Sequence, residues 1–390
     1  MAKLLYLLTE DWFFCSHFID RAVAMRKAGY DVVIATRISH HADAIYAAGL
    51  RARHIDLRRR SLAPWRELAT LMSICRIYQS ETPDIVHHVA LKPVLYGTLV
   101  ARRCGVRHIV NAPIGMGYVF TSDRWLARLL RPCVNLAMRL LLNPPGSRVI
   151  FENSDDMQSL IAQRMVRQDR AVLIRGAGVD LARFHPTPEP EGTPVVTLVA
   201  RMLWDKGVGE FVEAARMLKA SGVQARFLLV GDPDEENPAS IRRSQLLDWQ
   251  EEGTIEWLGR RDDIPAILAM SHIACLPSYR EGLPKSLLEA LAAGRPVVAT
   301  DVPGCREAVT DGDNGLVVPA RDPVALATAL KTLIEDKAIR QRFGARGRSR
   351  AEAEFGTEHV VAATRRVYDN LLKSASPQAR PEALPSRKAG

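Results

Sequence analysis

Residues 281–289 read Glu281-Gly282-Leu283-Pro284-Lys285-Ser286-Leu287-Leu288-Glu289, two carboxylates eight positions apart across a loop and a helix start. The preceding run, Ile273-Ala274-Cys275-Leu276-Pro277-Ser278, predicts a short buried strand closed by a turn. Ser286–Ala293 predicts a helix, opened by Pro284 near its first position and stopped by Gly294. Glu281 therefore belongs to a strand-to-helix loop and Glu289 lies about a turn into the helix. Free N–H groups at a helix start suit a phosphate. A loop carboxylate beside them can hold sugar hydroxyls, and a carboxylate further along the helix can reach a ribose. This is a layout for a nucleotide sugar.

Working outward, the chain alternates strand and helix patterns. N-terminal strands are expected at 4–8, 31–36, 52–57, 84–89, 107–111, 148–152 and 171–175, with helices such as 18–28, 65–79 and 154–164 between them. A second series has strands at 195–200, 225–231, 254–258, 273–276, 296–300 and 315–318. Helices close it at about 323–335, 338–354 and 358–373. The rhythm argues α/β architecture: two doubly wound parallel sheets facing across a cleft. Phe184–Pro194, rich in Pro and Glu, reads as a linker. The expected division is 1–185 for an acceptor domain and 186–357 for a nucleotide-sugar domain. Residues 358–373 then form a helix crossing back to the first domain, and 374–390 a disordered tail.

Composition narrows the class. At 390 residues and 47% hydrophobic, the chain can build two ordinary cores. The opening Met1–Leu8 is strand-length, neither a signal peptide nor a membrane span. Six scattered cysteines without a C-x-x-C pair suit a reducing cytoplasm. Residues 1–185 carry 26 Lys and Arg against 15 Asp and Glu (net +11), and 186–390 carry 27 against 29 (net −2). One basic lobe beside a neutral one points to an anionic surface met by the first lobe, and not to nucleic acid gripped by the whole chain. An arginine-rich solvated surface accounts for the same numbers.

After Glu289 come Ala290-Leu291-Ala292-Ala293-Gly294-Arg295-Pro296-Val297-Val298-Ala299-Thr300 and Pro303-Gly304-Cys305-Arg306-Glu307. Upstream stands Ala200-Arg201-Met202-Leu203-Trp204-Asp205-Lys206-Gly207. Together these resemble the E-x7-E and R-x4-K-G elements of retaining GT-B glycosyltransferases, family 4 in particular. The resemblance implies Arg201 and Lys206 as the diphosphate clamp and Glu281 as the sugar-side carboxylate. It further implies donor contacts from Gly207, Gly282, Leu283, Pro284 and Glu289, and from Arg260 near the base. Asp232-Pro233-Asp234 has D-x-D spacing, but a GT-B enzyme needs no metal, so no metal and no cofactor are expected; the nucleotide sugar is a substrate.

In the first domain, His17, His88, Lys92, Asn111 and Gly115 are candidates for sugar or acceptor contacts, while a structural histidine is an equal reading for His17 and His88. The chain departs from the commoner pattern by lacking a Gly-Gly pair after the first strand and a histidine within Asn111–Phe120. Asn111–Phe120, together with His87-His88-Val89-Ala90-Leu91-Lys92-Pro93, resembles the subgroup that adds a hexose or hexosamine to polyprenyl-diphosphate-linked saccharides of bacterial surface glycans, with a UDP-sugar donor.

Within Arg124–Leu142, the positions Arg124, Arg128, Arg131, Asn135 and Arg139 form one stripe, with Trp125 and leucines around the rest. Such a helix, split or kinked at Pro132, fits an anionic membrane interface. A core-packed helix with arginines to solvent is the plainer reading. The expectation is a cytoplasmic protein, peripheral on the inner face of the membrane. Two other classes fit the fold: a GT-B nucleotide-sugar epimerase and a catalytically silent sugar-binding module.

Overall fold

The computed structural model describes residues 1–58, 63–114 and 125–374. The first domain begins β1 (Lys3–Glu10), α1 (Asp11–His17), α2 (Ile19–Lys27), β2 (Asp31–Arg37), α3 (Ala42–Ala47) and β3 (Arg51–His54). It continues α4 (Pro64–Glu81), β4 (Ile85–Val89), α5 (Leu91–Arg103), β5 (His108–Ala112), α6 (Trp125–Leu141), β6 (Ser147–Phe151), α7 (Ser154–Ala162) and β7 (Ala171–Leu173). Its seven strands pair in the order β3-β2-β1-β4-β5-β6-β7, all in parallel. Strands such as β4 and β5 are buried along their whole length, because helices cover both faces of a parallel sheet.

The second domain has β8 (Val195–Val199), α8 (Val208–Ala220), β9 (Arg226–Val230), α9 (Arg243–Glu251), β10 (Glu256–Trp257), α10 (Ile264–Ala269) and β11 (Ile273–Leu276). After these come α11 (Lys285–Ala292), β12 (Val297–Thr300), α12 (Pro303–Ala308), β13 (Gly315–Val318), α13 (Pro323–Glu335), α14 (Lys337–Arg350) and α15 (Thr357–Lys373). Its six strands run β10-β9-β8-β11-β12-β13.

The differences from expectation have simple causes. β3, β7 and β10 are edge strands, held from one side only, and each stops short of its predicted end. The stretch expected as a loop after the first strand is instead α1, nucleated by the buried Asp11 carboxylate. That carboxylate accepts from the Ser39 amide at 2.6 Å, the Ser39 hydroxyl at 2.7 Å and the His41 amide at 3.0 Å. His17 is thus the last residue of a helix and not a loop residue. Pro132 neither ends nor splits α6; it falls on the exposed side, where solvent can serve the carbonyl that loses its donor. Among the described residues no helix is long and apolar enough to cross a membrane.

α15 belongs to the first domain's core: it packs on α2, and Val360, Val367, Tyr368 and Leu371 join the cluster built from β1, β4 and α2. The Tyr368 hydroxyl meets the Tyr6 hydroxyl at 3.0 Å and the His87 Nδ1 at 2.6 Å.

Candidate active site between the two domains

Parallel strands deliver their carboxyl ends, and the loops after them, to one edge of each sheet. After β8 the chain places Arg201, makes a tight turn at Trp204–Lys206, and enters α8 through Gly207 at φ +70°. Only glycine fits there, since a Cβ would run into the Pro277 carbonyl oxygen of the neighbouring loop. That close approach brings the two loops together. The Lys206 ammonium lies 2.5 Å from the Glu281 carboxylate. Arg201 reaches Asp234 at 2.5 Å, and its guanidinium lies 5.5 Å from the centre of the Trp12 ring, which comes from the other domain.

The Glu281–Gly282 peptide is held from both sides. Behind it packs Gly304, in the first turn of α12, where a Cβ would collide with the Gly282 carbonyl. In front stands the β6–α7 corner of the first domain: the Asn153 amide donates to the Gly282 carbonyl at 2.7 Å. The same corner pairs Asp156 with Arg280 at 2.9 Å and Asp155 with Arg306 at 2.7 Å. Ser154 donates its hydroxyl to Glu307 at 2.9 Å, and Arg175 donates to the other oxygen of that carboxylate at 2.7 Å.

α11 starts after Pro284, so its first amides open toward this cleft. Glu289 is 9% exposed and burial raises its carboxyl above the usual range, against the pull of Lys285 at 3.6 Å. Lys285 also donates to the Ser16 carbonyl at 2.8 Å. His17 stacks on Phe13 at 4.3 Å. Burial, then the nearby Lys285 and Arg21 charges, press its imidazole down to about 3, so it is neutral at physiological pH. Lys206, Lys285 and Arg201 therefore share one cleft with Glu281 and the neutral His17, each cation standing beside a carboxylate of the site, and cations at a helix start suit an anionic diphosphate.

Residues 3–151 match the model described as glycosyl transferase 4-like, and residues 193–336 match glycosyl transferases group 1. Between them these matches cover the first sheet except β7, and all of the second. The chain belongs to the family 4 glycosyltransferases.

Among similar proteins is the N,N'-diacetylbacillosaminyl-diphospho-undecaprenol α-1,3-N-acetylgalactosaminyltransferase of Campylobacter jejuni. It is 27% identical over 84% of this chain and 87% of its own length. The Escherichia coli UDP-Gal:α-D-GlcNAc-diphosphoundecaprenol α-1,3-galactosyltransferase is 25% identical over 74% of this chain and 76% of its own. In three dimensions, the sucrose-phosphate synthase of Thermosynechococcus elongatus superposes with a TM-score of 0.78 at 19% identity, over 96% of this chain and 100% of that one. Anabaena HepE in complex with UDP superposes with a TM-score of 0.75 at 19% identity, over the same shares. The GT-B fold is shared with these two structures.

Not every residue expected at the transferase's site is there. His88 and Asn111 are fully buried inside the first domain. His88 is hydrogen-bonded to the Tyr78 hydroxyl and to Asn111, both at 2.8 Å, so both side chains are committed to the core and face no cleft. Alternation along β4 predicts one histidine pointing out, but both faces of a parallel strand are covered. Lys92 is engaged by Glu67 at 2.7 Å and by the Arg58 carbonyl at 2.8 Å. Arg260 stands at the strand end with its guanidinium largely exposed, and its amide donates to Asp232. Asp232 and Asp234 are thus both taken by protein donors. Gly115 and Arg124 lie outside the described residues, as do the side chains of Trp125 and Arg128. The sequence reading missed Trp12, Glu152, Asn153 and Asp156, whose role depends on the other domain; only the Glu152-Asn153-x-x-Asp156 cluster after a strand hinted at it.

Proposed function

We propose that this transferase moves a hexose or N-acetylhexosamine from a nucleotide-diphosphate sugar, UDP-linked, to a polyprenyl-diphosphate-linked saccharide in bacterial surface glycan synthesis, with retention and without a metal. The observation that carries it is the Lys206–Glu281 pair at the start of α11, with Arg201 on the adjacent strand end. Arg201 and Lys206 supply to the leaving diphosphate the charge a metal would otherwise supply, each contact worth about 1.5–3 kcal/mol. Glu281 takes sugar hydroxyls and Glu289 the ribose. Retention follows from attack on the face the diphosphate leaves: the acceptor oxygen bonds to the anomeric carbon as its bond to phosphate oxygen breaks, and the acceptor proton passes to that phosphate. The names of the C. jejuni and E. coli relatives support the lipid-linked acceptor.

The outer face of the first domain supports a membrane-borne acceptor. α4 packs on α5 and α5 on α6. Their outward sides carry Trp65, Leu68 and Met72, then Leu99, then Leu129, Leu136 and Leu140, each between 47% and 72% exposed. The three helices hold only two acids, Glu67 and Glu81. Lys92 neutralises the first, and Lys3, Arg51 and Arg53 the second. An apolar, basic face without free acid fits an anionic lipid surface better than open water. α6 buries Met138 and leaves Leu129, Leu136 and Leu140 outside beside Arg139.

The deciding experiment titrates purified protein with a panel of nucleotide sugars. It then follows transfer to a synthetic undecaprenyl-diphosphate saccharide and assigns the product anomer by NMR. An inverted product would refute retention. Interconversion of the sugar nucleotide without transfer would establish the epimerase instead.

A further inference from the structure

Glu152 ends β6 and lines a recess between the domains together with Pro113, Ile114, Asn153, Asp156 and Gly282. Its carboxyl accepts from the Leu283 amide, while Asn153 donates to the carbonyl of Gly282 at 2.7 Å. The two consecutive side chains thus grip the carbonyl and the N–H of one peptide group, the one joining Gly282 to Leu283. A Cβ at 282 would meet the Glu152 Oε2, so glycine lets this carboxyl approach the peptide closely. The loop so held carries Glu281, already fixed to Lys206 at 2.5 Å.

We infer that Glu152, with Asn153, is a positioning residue of the donor site. From the first domain the pair sets the orientation of the Gly282 and Leu283 peptides, and thereby where Glu281 and the Leu283 amide meet a sugar nucleotide. This deepens the donor reading above and rests on it.

The surroundings of Glu152 give the inference a readout beyond stability. Arg21, on α2, faces it but is anchored to the Gly176 carbonyl at 2.9 Å. Asp156, on α7, faces it and is paired with Arg280. Glu281 approaches from the opposite domain. Burial pushes the Glu152 carboxyl up to about 7, Arg21 pulls it back, and Asp156 and Glu281 push it further up. Near neutral pH it is therefore in part protonated. Ionising it adds a negative charge beside Glu281, on the loop an anionic donor must reach, so donor affinity should fall as pH rises through about 7.

The test measures binding of UDP-glucose, UDP-N-acetylglucosamine and UDP by calorimetry from pH 6 to 8.5 in the wild type, Glu152→Gln and Glu152→Ala. Wild-type affinity for a sugar nucleotide should fall by about three- to tenfold across that range. Glu152→Gln keeps an oxygen for the Leu283 amide and carries no ionisable proton, so its affinity should vary little with pH over the range. Glu152→Ala should bind UDP much as the wild type does while losing most of its preference for the sugar nucleotide. A Glu152→Gln variant with the wild-type pH slope, or a Glu152→Ala variant with wild-type sugar-nucleotide affinity, overturns the inference.

Amide exchange without ligand keeps this separate from the donor reading itself. Exchange at Gly282–Leu283 should quicken by roughly tenfold in Glu152→Ala and stay near wild type in Glu152→Gln. Unchanged exchange in Glu152→Ala overturns the positioning role even if no sugar nucleotide binds, whereas wild-type protein that binds none of the three ligands refutes the donor assignment.

Discussion

Lys206→Ala is the perturbation with the most to say about the chemistry. In the ligand-free protein Lys206 is bound to Glu281 at 2.5 Å, with the two side chains 21% and 10% exposed. Removing it has two separable effects. The leaving diphosphate loses a preorganised cation, worth about 10²–10³ in kcat. Glu281 loses its partner in a largely enclosed position, worth about 1–3 kcal/mol of stability. At about 2–4 °C per kcal/mol for a domain of this size, melting should fall by several degrees. Adding Glu281→Ala distinguishes the two effects. The double variant should recover part of the melting temperature, because no lone carboxylate remains, and none of the turnover. The assay is steady-state transfer to a polyprenyl-diphosphate-linked acceptor at saturating sugar nucleotide, beside a thermal melt of each variant. Wild-type kcat in folded Lys206→Ala would refute the clamp, and so would turnover regained in the double variant, since Lys206 would then serve only to neutralise Glu281.

Glu289→Ala should weaken UDP and the sugar nucleotide alike, while Glu281→Ala should weaken the sugar nucleotide far more than UDP; equal losses for both ligands in both variants would show the two carboxylates to be misplaced. Turnover should persist in EDTA, because Arg201 and Lys206 are built in, and activity lost to EDTA but restored by Mn²⁺ would return Asp232 and Asp234 to a metal role. Changing Arg124, Arg128, Arg131 and Arg139 together to Glu, at about 1 kcal/mol per arginine on an anionic surface, should abolish co-sedimentation with anionic liposomes while sparing donor hydrolysis. Unchanged sedimentation of that variant and of Trp65→Glu/Leu136→Glu would leave the three-helix face a solvated one. His88 is buried neutral, its imidazole held down to about 4 by desolvation from an ordinary 6.5. The unfolded chain therefore binds more protons than the native one between those values, and acidification from pH 6.5 to 4 should remove on the order of 3 kcal/mol of stability. Denaturant midpoints that stay flat across that range would contradict the assignment.

The fold was legible because both its signals are local. Buried parallel strands write continuous apolar runs, and the sequence places an element at each of the thirteen strand positions. The second domain's half of the candidate site was legible for a similar reason: Arg201, Lys206 and Glu281 follow strands of one sheet, and Glu289 lies in the helix that the Glu281 loop leads into. The first domain's half was not. Whether His88 or Glu152 looks into the cleft depends on which helices cover β4 and β6, which is long-range information. The period-two rule gave no help there, since His87 and His88 are both enclosed. In α6 the arginine spacing alone does not say which residues pack inward: Met138 joins a cluster with Val94 of α5 and Leu160 of α7, while Leu129, Leu136 and Leu140 stand outside.

α15 carries a consequence for how the polypeptide is made. Tyr368 closes a hydrogen-bonded cluster with Tyr6 and His87, so the lobe synthesised first is finished by residues translated only after the second sheet. At bacterial elongation speeds, the interval between residue 185 and residue 373 is on the order of 10–40 s. For that time the nascent first lobe carries an open apolar seam where α15 will dock, available to chaperones and to self-association. Deleting α15 should therefore cost the first lobe its solubility, although the helix supplies none of the cleft residues named above.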